Sequence, residues 1–480
     1  MSIEPNNKDY SKAKRIKIHQ PDASKIDRFN PRNRIYVRAV EGLWSRLRTR
    51  LGWGALLFFL VLPWLTWGNR QAVWFNLGEQ KFHIFGLTIW PQDLTLLAAL
   101  LMIAAFGLFF VTTYLGRVWC GFTCPQTVWT FIFIWFEEKL EGARNKRIKL
   151  DQMPWSVNKL WRKTAKHTAW LLISLITAMT FVSYFVPTRE VYVDVFTLNA
   201  SGGIYFWVVL FTLATYGNAG WMREIMCIHI CPYARFQAAM FDQNTYIVGY
   251  DTHRGESRGP RSRKVDHKEL GLGDCIDCDL CVQVCPTGID IRNGLQYECI
   301  NCGACIDACD STMDKMGYAK GLISYTTENK LEGIKETVLR PKLVGYGVVL
   351  TIMILVFIYA SATIAPVRID VIRDRNELFR ENNDGLTENT FTLKILNKTE
   401  QDHKYRLSVE GLPKYTWYGA QEVSISGGEV LTLPISVAVD PVNLSRTMTK
   451  IHFKLVTEIN ANETDETYIE AKQESRFFSQ

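Results

Sequence analysis

Two cysteine runs constrain this chain more than any other feature: Cys275-x2-Cys278-x2-Cys281-x3-Cys285-Pro286 and Cys299-x2-Cys302-x2-Cys305-x3-Cys309. Each run opens with three thiols at x2 spacing. They fit a loop wrapped around the corner of a cubane, and the tandem run is the bacterial two-cluster ferredoxin spacing. In that pattern the fourth cysteine of each run crosses to the other centre. The spacing therefore predicts one 4Fe-4S cluster on Cys275, Cys278, Cys281 and Cys309, and a second on Cys299, Cys302, Cys305 and Cys285. Structural zinc also uses C-x2-C pairs, but the tandem triple spacing favours clusters. Asp310 follows the second run where a proline is usual. Gly303, Ala304 and the Pro286-Thr287-Gly288 turn suit a backbone that donates N–H groups to sulfide.

All twelve cysteines lie between Cys120 and Cys309, a distribution that excludes a secreted disulfide scaffold and points to metal or redox chemistry. The remaining four form an internal repeat, in which Gly116-Arg117-Val118-Trp119-Cys120-Gly121-Phe122-Thr123-Cys124-Pro125 is echoed by Arg223-Glu224-Ile225-Met226-Cys227-Ile228-His229-Ile230-Cys231-Pro232. Each copy precedes a stretch too short to cross a membrane, 126–136 and 233–241. On a helix, positions i and i+4 share a face, so both sulfurs of a pair can meet one metal or one oxidant. Cys120, Cys124, Cys227 and Cys231 are thus the candidate catalytic thiols and a candidate four-thiolate site. Inert buried cysteine is the plainer reading of any one alone. His229 reads as an interface residue before a ligand. Arg117 and Arg223 read equally as thiol activators and as membrane-edge anchors.

Five uncharged apolar runs, 51–68, 94–116, 168–187, 204–222 and 343–365, are long enough to be read as spans. Lys and Arg number 13 in the first 50 residues and ten in 117–166, against only Arg70 and Lys81 in 69–93 and only Arg189 between the third and fourth runs. The positive-inside rule then puts the N-terminus and all the cysteines inside and the C-terminal part outside. The basic start, broken by Pro21 and Pro31, reads as a tail drawn to anionic lipid, not a cleavable signal. Beyond residue 365 apolar residues alternate, as in Phe391, Leu393, Ile395 and Tyr405, Leu407, Val409, with turns at Asn383-Asp384-Gly385, Gly427-Gly428 and Asp440-Pro441. This predicts an antiparallel, immunoglobulin-like β-sandwich. Gly271-x-Gly273 lacks the rest of a dinucleotide fingerprint, and no P-loop or CxxCH occurs. Electrons should therefore come from an unidentified donor, and no nucleic-acid partner is expected.

The fold class is accordingly a mixed membrane protein: five transmembrane helices, a two-cluster ferredoxin-like domain and a C-terminal sandwich. The layout is a basic tail at 1–50, a membrane domain at 51–241, a linker and ferredoxin domain at 242–342, a fifth span at 343–365 and the sandwich at 366–480. In this order, with both CxxxCP pairs, the chain resembles the cytochrome c oxidase accessory family called CcoG, FixG or RdxA. The resemblance implies a bacterial inner-membrane protein that helps mature a cbb-type haem-copper oxidase by reducing Cu(II) to Cu(I). Its partners would be oxidase subunits or copper-delivery proteins, with self-association left open. The eight cluster cysteines would relay electrons, and Cys120, Cys124, Cys227 and Cys231 would meet copper. A quinol dehydrogenase-like subunit and a non-enzymatic assembly scaffold or sensor are the alternatives.

Overall fold

The computed structural model describes residues 35–68, 70–90, 93–264, 266, 268–363, 365–374, 377–399, 401–444, 446–457 and 470–479. Most of the basic tail, with Pro21 and Pro31, lies outside the described residues. The chain divides into two compact units at Phe357/Ile358, within one helix.

In the first unit, helix α1 (Leu43–Val61) has no cap from its own N-cap residue. Asp307 supplies one from far along the chain, its carboxylate accepting the Trp44 and Ser45 N–H groups at 3.1 and 2.6 Å. The helix gives way to a 3-10 turn (Leu62–Trp64) carrying Pro63, which cannot continue an α-helical ladder. Helix α2 (Leu94–Leu115) is apolar throughout and stops at Gly116, whose φ of +61° an L side chain rarely adopts. Short helices α3 (Val118–Phe122), α4 (Pro125–Glu141) and α5 (Arg144–Gln152) follow. Helix α6 (Val157–Val182) is capped by the Ser156 hydroxyl. After α7 (Thr188–Thr197), α8 (Gly202–Gly217) runs into π-helical turns, and α9 (Pro232–Met240) closes this part. Phe133 and Trp170 stack at 5.1 Å in its core beside Ala219.

Among the described residues, three helices are long and apolar enough to cross a membrane: α2, α6 and Pro341–Ala362. A fourth exists if α7 and the stretch Gly202–Ile230, bent by 92°, count as one broken span. The runs 94–116, 168–187 and 343–365 correspond to the three, and 204–222 falls in the bent pair. The run 51–68 behaves differently. Its helix begins at Leu43 and takes in Arg46, Arg48 and Arg50, and Pro63 ends it early. Five clear spans therefore reduce to three, or up to four.

Strands β1 (Ile247–Tyr250) and β2 (Ile323–Thr326) pair antiparallel, Ile247 opposite Thr326 and Tyr250 opposite Ile323. The chain between them carries both cysteine runs and helix α10 (Ala304–Met316), over a core of Val248, Ile291, Ile306, Met313, Leu322 and Ile323.

The second unit is a two-sheet sandwich. One sheet orders its main strands Tyr415–Tyr418, Val430–Val439, Thr387–Asn397, Val367–Arg373; the other runs Glu422–Ile425, His403–Glu410, Met448–Thr457, Glu470–Phe478. All pairings are antiparallel. Alternation puts Phe391, Leu393, Ile395, Tyr405, Leu407, Ile451, Phe453 and Leu455 inside, each essentially sealed from solvent. Each such aliphatic or Phe side chain is worth about 1.5–3 kcal/mol when buried.

Candidate functional site

The two cysteine loops repeat one backbone solution. Asp277 and Asp279 in the first, and Asn301 and Gly303 in the second, take left-handed conformations with φ of 53°, 56°, 53° and 71°. Such turns let three nearby thiols face one point, and Asp, Asn and Gly tolerate them best. Asp279 and Gly303 are also the N-cap positions of the turn Leu280–Gln283 and of α10, so each wrapped loop passes directly into a helix.

Each loop borders a cavity. One is lined by Cys275, Cys278, Cys281 and Cys309 with Tyr250, Met313 and Leu322. The other is lined by Cys285, Cys299, Cys302 and Cys305 with Val248 and Ile300, and Cys281 touches it too. The donor set, four thiols in an apolar wall, fits a 4Fe-4S cluster in each. Among the described residues no three His, Cys, Asp or Glu side chains converge on a single-ion position. Thiols spread around a wall suit a cubane, whose four irons sit at alternate corners and take one thiolate each; one tetrathiolate zinc needs them on a single centre. Burial pushes the Cys281, Cys299 and Cys309 thiols up to about 12, and Cys305 well above its ordinary value. Loading iron must therefore displace protons that these thiols hold tightly.

The surroundings of the two cavities differ. At the first, Cys278 is exposed, and Arg292 donates to Asp277 and Asp279 at 2.6 and 2.7 Å. The second is enclosed. Arg48 donates to the Cys302 carbonyl at 3.0 Å with its guanidinium 4.1 Å from the Phe131 ring centre, and the Tyr325 hydroxyl donates to the Asn301 carbonyl.

The first CxxxCP copy lies against the second cysteine loop. Cys120 packs in one apolar group with Cys302, Ala304 and Cys305. Gly121 is required there, because a Cβ would lie 2.7 Å from the Ile300 carbonyl oxygen. Arg117, only 4% exposed, donates to the Tyr297 and Ala234 carbonyls at 2.6 and 2.7 Å, tying the first repeat to the second cysteine loop and to α9. Cys227 is within electrostatic reach of Cys120, Cys124 and Cys231, but no three of the four converge on a single-ion position, so the four-thiolate site expected from the repeat is not assembled among the described residues. Gln237, fully buried, makes hydrogen bonds of 3.4 and 3.5 Å with the Cys120 sulfur.

The pairs do not lie on single helices. Cys120 is in α3, but Cys124 is the N-cap of α4 with Pro125 at its first position; Cys227 is in the π-turn Met226–Ile230, and Cys231 caps α9 with Pro232. Proline favours a helix start and forbids continuation, so each pair straddles a junction. His229 is exposed. Arg117 and Arg223 are buried and bonded, neither reaching out as an anchor.

Sequence reasoning passed over Glu137, Glu141, Arg48 and Gln237. Glu137 is 1% exposed and takes Arg147 and Arg223 at 2.8 and 2.9 Å; Glu141 takes Lys163 and Lys166, each at 3.0 Å. Arg223, four residues ahead of Cys227, adopts a φ of +22° and is held by Glu137. The available signal was two carboxylates at i and i+4 ending an apolar stretch.

Comparisons with known proteins define the class. Residues 222–328 match a family model described as a 4Fe-4S dicluster domain, residues 97–141 a 4Fe-4S binding domain, and residues 357–480 an IG-like fold at the C-terminal of FixG. The chain is thus an iron-sulfur protein with a 4Fe-4S dicluster region, apolar helices of membrane-crossing length and an Ig-like sandwich. It is 34% identical over 439 residues to the nitrogen fixation protein FixG of Rhizobium meliloti, covering 84% of each chain. It is 37% identical over 429 residues to protein RdxA of Cereibacter sphaeroides, covering 85% of this chain and 87% of the relative. The chain belongs to the FixG family. A crystal structure of a FixG-related protein from Vibrio parahaemolyticus is 43% identical, covering 24% of this chain and 97% of that one, with a TM-score of 0.21.

Proposed function

We propose that this protein passes single electrons from two 4Fe-4S centres to the thiols Cys120, Cys124, Cys227 and Cys231, where Cu(II) is reduced to Cu(I) for a haem-copper oxidase of the cbb type. The observation that carries the reading is proximity: Cys120 packs against the buried apolar cluster that contains Cys302, as does Cys305. Cys275, Cys278, Cys281 and Cys309 hold the first centre; Cys299, Cys302, Cys305 and Cys285 hold the second. Bound clusters supply one-electron transfer without proton transfer. The chain's own residues do the rest. Arg117 fixes the first repeat against the second loop, Gln237 orients the Cys120 sulfur, and Glu137 with Arg223 sets the second pair. Soft thiolates favour Cu(I) over Cu(II), so the electron and the ligand set pull the same way.

The distribution of Lys and Arg supports an inner-membrane topology with the N-terminus and both centres in the cytoplasm and the sandwich in the periplasm, available to oxidase subunits or copper-delivery proteins. The layout proposed is the tail, membrane, ferredoxin, final-span and sandwich order given above. The test is anaerobic reduction of the iron-loaded protein followed by Cu(II) and a Cu(I)-specific chelator. Wild type yields Cu(I) as the cluster signal oxidises; C120S with C227S leaves the clusters reduced. Equal Cu(I) from the double variant, or none from wild type, overturns the reading.

A further inference from the structure

A second cavity system lies on the other side of the same cluster wall. Its volume is about 230 Å3, and its lining joins α1 (Ser45, Arg48, Thr49, Gly52, Trp53), α4 (Thr127, Phe131, Trp135, Glu138) and Phe122 to Val284 and Ala304. Val284 adjoins Cys285, and Ala304 adjoins Cys305. An apolar cavity of roughly 150 Å3 accepts benzene, so this one has room for a substituted six-membered ring. Its walls are aromatic, and Arg48 is already engaged by the Cys302 carbonyl and the Phe131 face. The Glu138 carboxylate makes no hydrogen bond or ion pair among the described residues. The Thr49 hydroxyl, donating to the Ser45 carbonyl at 2.8 Å, keeps its acceptor lone pairs. Trp53 and Trp135 line the cavity while 47% and 48% exposed, an apolar approach that suits a hydrocarbon tail.

We propose that this cavity binds the ring of a membrane hydroquinone, the electron donor to the second centre. The inference rests on the cluster reading above and names the donor that reading leaves open. Arg38 also lines the cavity and donates to Gln283 Oε1 at 3.5 Å, so the choice against a flavin or nicotinamide rests on bulk: each is several times larger than the single ring this volume admits. A hydroquinone brings two hydroxyls, which match Glu138 and Thr49, and a tail, which matches the exposed apolar approach. In the reaction both O–H bonds break and the ring becomes a quinone. The two protons leave by way of the Glu138 carboxylate to water. The two electrons leave singly, each converting one oxidised 4Fe-4S centre to its one-electron-reduced state, so one donor molecule fills both centres. The Arg48 contact with the Cys302 carbonyl joins the cavity to a cluster ligand.

The probes are menadiol and menadione, added anaerobically to the iron-loaded, detergent-solubilised protein. Menadione should quench tryptophan fluorescence saturably, through Trp53 and Trp135. Menadiol should bleach the clusters, or menadione should restore the colour of clusters pre-reduced with dithionite. T49W, which fills the cavity, should lose both binding and exchange while dithionite bleaches it as it does wild type. E138Q should bind menadione normally and exchange electrons about a hundredfold more slowly, the scale of a lost general base. Exchange in T49W at the wild-type rate overturns the proposal, as does a wild type that neither binds menadione nor exchanges electrons in either direction. If dithionite itself bleaches no cluster, the cluster reading fails instead, and menadione binding still decides the cavity.

Discussion

In the first cysteine loop the left-handed positions are Asp277 and Asp279, and Arg292 ties their carboxylates together at the surface beside the exposed Cys278. In the second loop the same positions are Asn301 and Gly303, and protein covers them. A Cβ on Gly303 would lie 2.8 Å from Trp44, and Tyr325 holds the Asn301 carbonyl. One loop meets solvent and charge; the other is enclosed by α1, α3 and the first thiol repeat. The backbone that wraps a cluster is thus fixed locally, while what the cluster can exchange electrons with is decided by what packs outside the loop. Arg117, Gly121 and Arg48 all meet the second loop, and on the function proposed above that makes the second centre the junction and the first the reserve.

The largest test of that asymmetry removes one centre at a time. C302S should lower iron from about eight to about four per chain, as loss of one cubane requires, and should abolish electron transfer to the thiols. C278S should lose similar iron yet leave the thiols reducible, with half the stored electrons. Iron analysis, EPR and Cu(I) formation on the two variants check it, and equal loss of transfer in both would remove the distinction.

A smaller effect is expected at Glu137. E137Q leaves two buried guanidinium groups facing one neutral amide, and breaking a buried pair in this way costs about 3–5 kcal/mol. The loss should appear in thermal unfolding of the helical part, with reactivity of Cys227 toward a thiol reagent changed more than that of Cys278. Restoring stability with the paired change E137Q/R223M would attribute the loss to the stranded charge.

Much of this arrangement was legible in the sequence. The x2-x2-x3 spacing marks which thiols share a loop, because in the tandem ferredoxin pattern three such thiols wrap one corner of a cubane. Alternation in 391–395 and 405–409 specifies strands with one sealed face, as observed. The four repeat thiols were recognisable as a set, since both copies carry a proline that starts a helix. What could not be read is pairing at a distance. Arg223 and Glu137 are 86 positions apart, and Arg48 lies 254 positions from Cys302. Counted as loop charges, Arg117, Lys166 and Arg223 suggest membrane-edge anchors, because hydropathy registers a charge and not its partner. The same blindness lengthened the count of spans: the run 51–68 looks uncharged only when separated from the helical turns that carry Arg46, Arg48 and Arg50.

Replacing Gly121 probes the junction more gently. G121A puts a methyl group against the Ile300 and Asn301 carbonyl oxygens, at 2.7 and 2.8 Å, and overpacking of this kind costs about 1–3 kcal/mol. The EPR signal of the second centre should shift while that of the first stays in place. Identical shifts in both would mean that the loops are coupled more tightly than their surroundings imply.

The smallest expected effect belongs to the first loop alone. Burial raises the Asp290 carboxyl, but its hydrogen bonds and charge pairing with Arg292 outweigh that and hold it below the usual aspartate range. A depressed carboxyl contributes stability that is fully present above the ordinary aspartate pKa and is lost as pH falls through the lowered one. Screening at a half-exposed site limits the contribution to about 0.2–1 kcal/mol. The second loop has no such carboxylate bonded to a cation beside it among the described residues. As the pH falls below the ordinary aspartate range the first centre's signal should therefore weaken before the second's, and D290N, which has no charge left to lose, should narrow the gap. If the order is reversed, enclosure protects the second loop less than its packing indicates, and the division into reserve and junction must rest on the thiol contacts alone.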